Sequence, residues 1–139
     1  MKVVLDTNVL VSGFLNPYGV PGEITHMILS GTLNLCYDAR ILWEYRRVLL
    51  RPEFSFNRNN VDALLDEVES SGYLVVPVPL STGLLDKSDE PFLEVALAGG
   101  AEYLVTGNIR HFPEDRRRGM KVVSPGEFVE VYRKGLDDR

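Results

Sequence analysis

Three acidic residues widely separated in the chain, Asp6, Glu44 and Asp89, each stand where a carboxylate could reach a shared site. Asp6 ends the apolar run Val3-Val4-Leu5 and is followed at once by the helix-capping types Thr7 and Asn8, so the chain passes from strand to helix across one carboxylate. In open α/β sheets, ligands collect at that edge. Glu44 follows the capping residue Asp38; at about 100° per residue it falls beside Ile41 and Val48, on the border of an apolar stripe. Asp89 lines up with Phe92, Leu93 and Ala96 at i+3, i+4 and i+7, which points it inward at a helix start. Each has a plainer reading: Asp6 as a turn residue, Glu44 as an intrahelical partner of Arg40 or Arg47, and Asp89 as an acid favoured by the helix dipole. Glu94, turned away from the stripe, and Asp86, in a loop, are weaker candidates. Gathered at one edge, three acids would repel and take up protons unless a cation neutralised them. Oxygen-only ligands suit magnesium or manganese, and such ions activate water and steady a phosphodiester, the chemistry of metal-dependent nucleases.

The elements that must position these acids can be read in order. After a first strand, residues 8–14 read as a short helix, and Asn16-Pro17-Tyr18-Gly19 with Pro21-Gly22 as a loop. Residues 23–30 read as a helix stopped by Gly31, and 32–36 as a second strand. Asp38 caps a helix to about residue 50 with Ile41, Leu42, Tyr45, Val48 and Leu49 inward. Asn59 or Asn60 caps the next helix, Gly72 ends it, and residues 73–76 return as a strand. Residues 77–87 form a loop toward the active edge, Ser88 caps a helix over 89–98 that tolerates Pro91 in its first turn, and Gly99-Gly100 closes it. Tyr103-Leu104-Val105 is a buried strand whose exit, Thr106-Gly107-Asn108, repeats the polar exit at Asp6 and adjoins it. A charged loop, a last strand at 121–123 and a helix opened by the capping box Ser124-Pro125-Gly126-Glu127 complete the chain. Alternating strands and helices predict a three-layer α/β/α sandwich with a parallel, Rossmann-like sheet.

The bulk properties set limits. A chain of 139 residues with a hydrophobic share of 45% is expected to form a single domain, 1–139, with a real core. The net charge of −5 argues against a strongly basic nucleic-acid binder, although acids gathered in one metal site can mask a local basic surface. A lone cysteine, Cys36, forms no internal disulfide and reads as a buried hydrophobe; no apolar run approaches a membrane span, and a cytoplasmic protein is expected.

The chain resembles the PIN-domain family, and in particular the small prokaryotic PIN proteins described as toxins of toxin–antitoxin pairs. The opening VLDTNVLVS, Glu44 in the helix after the second strand, and DEPFLEVALAGGAEYLVTGN carry the likeness in order and spacing over essentially the whole length. The resemblance implies a magnesium- or manganese-dependent ribonuclease in which Asp6, Glu44 and Asp89 are the catalytic, metal-holding acids, with Thr7, Asn8 and Thr106 as polar neighbours. Many members carry a fourth acid where this chain has Asn108, whose amide oxygen can bind a metal or water without charge, so weak or single-metal binding is expected. An RNA substrate, an antitoxin partner and a homodimer are likewise implied. Arg40, Arg47 and Arg51, on one helix side with Glu44, and Arg110, His111, Arg116, Arg117 and Arg118 in the late loop could grip phosphates or form a solvated charged surface. Tyr18, Trp43, Phe54 and Phe56 offer aromatic surface for a partner or ordinary peripheral packing.

Two other readings compete. A non-catalytic RNA-binding module would keep the fold and lose turnover with the fourth charge. A receiver-like or haloacid-dehalogenase-like phosphotransfer domain also places an aspartate after the first strand. Asp6-Thr7-Asn8 lacks the second aspartate of the latter, and the strand near Val76 lacks the phosphoacceptor of the former.

Overall fold

Val3, Val4 and Leu5 are wholly buried in strand β1 (Lys2–Leu5), as a strand covered on both faces requires. The computed structural model describes residues 1–81 and 83–137; Thr82, within the expected 77–87 loop, and Asp138 and Arg139, at the end of the expected domain, lie outside the described residues. The other strands are β2 (Asn34–Tyr37), β3 (Tyr73–Leu74), β4 (Tyr103–Val105) and β5 (Val122–Val123). Among the described residues they form one parallel sheet in the order β3-β2-β1-β4-β5. Val3 is in register with Leu35 on one side and Tyr103 on the other. The chain builds outward from β1 to β3, then returns to start again at β4, so the β1–β4 junction is the topological switch point where a site is expected.

Six helices flank the sheet among the described residues: α1 (Thr7–Leu15), α2 (Val20–Leu29), α3 (Ala39–Leu49), α4 (Arg58–Ser71), α5 (Glu90–Gly99) and α6 (Pro125–Asp137). Right-handed crossovers put α1 to α4 on one face of the sheet and α5, which packs on β1, β2 and β4, on the other. The expected parallel α/β architecture is therefore the observed one. Its core runs from Val4 and Leu5 through Ile24, Leu35, Tyr45, Leu65 and Phe92 to Phe128, with Cys36 buried among them.

Local details differ from the sequence expectation where two residues of similar type compete. Pro21 and Gly22 belong to the first turn of α2 rather than to the loop, and Gly22 lies so close to the preceding turn that a Cβ would stand 2.2 Å from the Pro17 carbonyl oxygen. Helix α4 is capped by Asn57, which accepts from the Asn60 amide at 3.2 Å, rather than by Asn59 or Asn60. Strand β3 is an exposed edge of two residues, although the Val75 amide still donates to the Tyr37 carbonyl at 2.8 Å. Gly100, at φ +66°, closes α5 as expected, and Ser124 and Glu127 exchange the two hydrogen bonds of a capping box at 3.1 Å each. Among the described residues, no helix is long and apolar enough to cross a membrane.

Candidate active site

The exits of β1 and β4 are fastened to each other. The Asp6 amide donates to the Val105 carbonyl at 2.9 Å, Thr106 Oγ1 donates to Asp6 Oδ2 at 2.8 Å, and the Gly107 amide donates to Asn8 Oδ1 at 3.1 Å. Asn8 Nδ2 reaches back to Asp6 Oδ2 at 3.4 Å, and the Asn108 amide donates to Thr106 Oγ1 at 3.0 Å. Asp6, Thr7 and Thr106 are all buried, Asn8 is half-buried and Asn108 is exposed. Burial drives the Asp6 carboxyl above its ordinary pKa; the Thr106 hydroxyl opposes that rise and the Glu44 charge adds to it.

Glu44 reaches this site from α3. Its carboxylate accepts the Thr7 hydroxyl, so it is neither of the intrahelical ion pairs that Arg40 and Arg47 could have offered. The next residue, Tyr45, is fully buried and donates its hydroxyl to the Leu5 carbonyl, one residue before Asp6. That bond anchors α3 to the end of β1 and thereby sets Glu44 beside the strand exit. Burial, reinforced by the Asp6 and Glu44 charges, holds the Tyr45 pKa well above its usual value, so the group stays a donor.

Asp89 stands at the entrance to α5 and is 7% exposed. It takes the cap position of α5 expected of Ser88 and makes no capping hydrogen bond, while Asp86 caps the preceding short 3-10 turn Lys87–Asp89, accepting the Ser88 amide at 2.9 Å and hydroxyl at 2.6 Å. His111 Nδ1 stands 3.1 Å from Asp89 Oδ2, an ion-pair distance, but the ring is not aligned for a hydrogen bond and that buried oxygen has no hydrogen-bond partner. Burial, followed by the Asp6 charge, pushes the Asp89 carboxyl up to about 6, with His111 acting in the opposite direction. Asp6 is thus the hub, coupled through space to Glu44 on one side and Asp89 on the other.

In kind this donor set suits a hard cation, since all its groups are carboxylate oxygens and one of them, Asp89 Oδ2, is buried and accepts no hydrogen bond. Among the described residues, no three His, Cys, Asp or Glu side chains stand together closely enough to hold an ion. Next to Asp89 opens a cleft of ≈ 430 Å³ lined by Leu85, Asp86, Arg110, His111 and Arg116, so the loop before α5 and the loop after β4 do reach the acidic edge.

The expected cations divide. Arg40 is engaged by Asp38 and Glu94, at 2.8 Å each, and Arg47 lies over the Trp43 ring at 5.0 Å. Arg51 lies past the end of α3, and Arg117 and Arg118 donate to the Phe112 and Ser81 carbonyls. Glu94 does not face away as its place in the sequence pattern implied: it is buried, accepting Arg40 and, at 2.6 Å, the Leu80 amide, so it pins the 75–80 segment over α5. The sequence signal for it was a charged residue inside an otherwise apolar helix of type EPFLEVALAG. Of the aromatics, Phe54 and Phe56 stack on each other and Phe56 meets Phe14 at a tilt of 34°, each pair at 5.1 Å, whereas Tyr18 and Trp43 are exposed.

Residues 2–110 match the family model described as PIN domain, a segment that holds Asp6, Glu44, Asp89, Thr106 and Asn108. The chain is also 26% identical to the uncharacterized protein MJ1680 of Methanocaldococcus jannaschii, over 96% of its own length and 93% of that protein's. PIN domains are generally nucleases. With a parallel sheet whose strand order reverses at β1 and a family match over most of its length, the chain belongs to the PIN-domain family.

Proposed function

We propose that this protein is an endoribonuclease that hydrolyses RNA phosphodiester bonds with magnesium or manganese held by Asp6, Glu44 and Asp89. The observation that carries the reading is the buried Asp89 carboxylate, whose Oδ2 accepts no hydrogen bond and has His111 Nδ1 at 3.1 Å, together with the equally buried carboxylate of Asp6. Two carboxyls whose pKa values are driven upward by burial, with the Glu44 charge adding to the rise at Asp6 and the Asp6 charge adding to it at Asp89, are costly to keep ionised unless a cation belongs among them. A magnesium or manganese ion, once bound, would supply an activated water and positive charge on the scissile phosphate.

The chain's own residues supply the rest. Thr106 holds Asp6 in orientation, and Thr7 does the same for Glu44. Arg110 and Arg116, lining the cleft beside Asp89, could donate to phosphate oxygens of a strand crossing the site. His111 lies against Asp89 and is a candidate to relay a proton to the leaving oxygen. Asn108 takes the place of a fourth acid at the rim, which supports occupancy by a single ion. An antitoxin partner and a homodimer belong to the same reading through the family likeness, and light scattering with and without a co-expressed partner measures both.

The test is cleavage of a panel of single-stranded RNAs with magnesium or manganese, wild type against Asp6→Asn. Metal-dependent cleavage lost in the variant is the expected result. Equal cleavage by the two proteins would overturn the assignment, and RNA retained in a gel shift but left intact would favour the binding-module reading.

A further inference from the structure

Trp43 is the sole tryptophan of the chain and is 64% exposed, although it immediately precedes Glu44. A large aromatic ring left open to water next to a functional carboxylate calls for an occupant, since full burial of such a side chain contributes more than almost any other. Its surroundings identify what kind. Arg47, one turn further along α3, stacks its guanidinium over the ring at 5.0 Å and forms no ion pair among the described residues. Toward the preceding turn, Trp43 lines an open groove of ≈ 560 Å³ with Ala39, Arg40, Glu44, Ser88 and Pro91. Ser88 and Pro91 bracket Asp89 in sequence, so the groove runs between the α3 and α5 contributions to the acidic site.

The groove is therefore flat and apolar at the ring and polar around it. A second protein surface burying Trp43 would have to desolvate Glu44, Arg40 and Arg47 with it, which is costly. A nucleobase would not: it offers a π-face to the ring, its phosphate lies toward the uncommitted Arg47, and its backbone continues toward the acids. Arg40, already neutralised by Asp38 and Glu94, forms a fixed wall and not a free grip. We infer that Trp43, backed by Arg47, is a stacking platform for an unpaired base of the RNA whose backbone crosses the Asp6, Glu44 and Asp89 site. This rests on the ribonuclease reading and deepens it, because a base stacked on Trp43 cannot at the same time be stacked and paired within a duplex.

Trp43 emission reports the platform directly. Titration of the full-length protein with short oligoadenylate in calcium, and separately with a blunt RNA duplex, is expected to quench emission with the single strand alone. With magnesium, Trp43→Ala is expected to raise KM for single-stranded RNA about 5- to 100-fold with kcat within about twofold, and Trp43→Phe to recover most of the loss. No quenching by oligoadenylate, equal quenching by the duplex, or an unchanged KM in Trp43→Ala overturns the platform. A blue shift of emission with rising protein concentration in the absence of RNA overturns it in favour of a contact between copies. Cleavage that persists while the platform fails leaves the ribonuclease reading standing; quenching by single strands without cleavage removes turnover and keeps the platform.

Discussion

The Thr7 hydroxyl donates to the Glu44 carboxylate, tying the first residue of α1 to the middle of α3 over a sequence separation of 37. Glu44 would otherwise be a half-buried acid on a helix border with several rotamers open to it. Thr7→Val keeps the shape and removes the donor. Its expected effect is a fall in RNA cleavage of about tenfold with an unfolding midpoint close to wild type, and Thr7→Ser is expected to restore activity. Steady-state cleavage and urea unfolding measure the two effects side by side.

Tyr45→Phe removes the hydroxyl that donates to the buried Leu5 carbonyl. The ring remains, so no cavity forms, and a destabilisation of about 1–3 kcal/mol is expected in urea unfolding. A substitution within about 0.3 kcal/mol of wild type would show that the bond does not secure α3 to β1.

The pH dependence of stability has a definite sign. The folded Asp89 carboxyl is raised from 3.8 to about 6, chiefly by burial, and Asp6 is raised in the same direction. A carboxyl with a raised folded pKa favours folding relative to the charged form only while protonated: the contribution is full below about pH 4 and is lost as pH rises through about 6. In chelator, Asp89→Asn is therefore expected to be more stable than wild type at pH 7 by about 1–3 kcal/mol, and this advantage is expected to vanish near pH 4. Urea unfolding of both proteins across that range is the measurement, and a variant less stable than wild type at pH 7 would contradict it.

Glu94→Ala strips a buried acceptor from Arg40 and from the Leu80 amide. Because Arg40 is half-exposed and keeps Asp38, a loss of about 2 kcal/mol is expected, together with faster proteolytic nicking within residues 75–88. Nicking at the wild-type rate would show that the strap is held elsewhere.

Much of this site was legible in the sequence because its position follows from element order. The Val3-Val4-Leu5 run had to be a covered strand, a polar Thr7-Asn8 exit had to follow, and the similar exit at Thr106-Gly107-Asn108 belonged to a strand that could lie beside it. Asp89 stood out because it continues the inward stripe of α5. What could not be read was the choice among equivalent caps, as between Asn57 and Asn59 or Asn60, and between Asp89 and Ser88 at the start of α5. Those choices turn on backbone angles that side-chain type does not fix. Glu94 escaped for a different reason: its partners, Arg40 and the Leu80 amide, come from elements distant in sequence, and helical spacing alone cannot show that a strap covers that face. The bond from Tyr45 to the Leu5 carbonyl was hidden in the same way, since an apolar stripe records where a ring goes and not what its hydroxyl touches.

Burial and neighbouring negative charge raise the Asp6 and Asp89 carboxyls together, and a bound cation would relieve both. Titration calorimetry with manganese, wild type against Asp89→Asn, measures that relationship most directly. One weak binding event near neutral pH, absent in the variant and fading as pH falls below about 6, is the predicted result. Two tight events in the free protein, or identical heats from the two proteins, would contradict it.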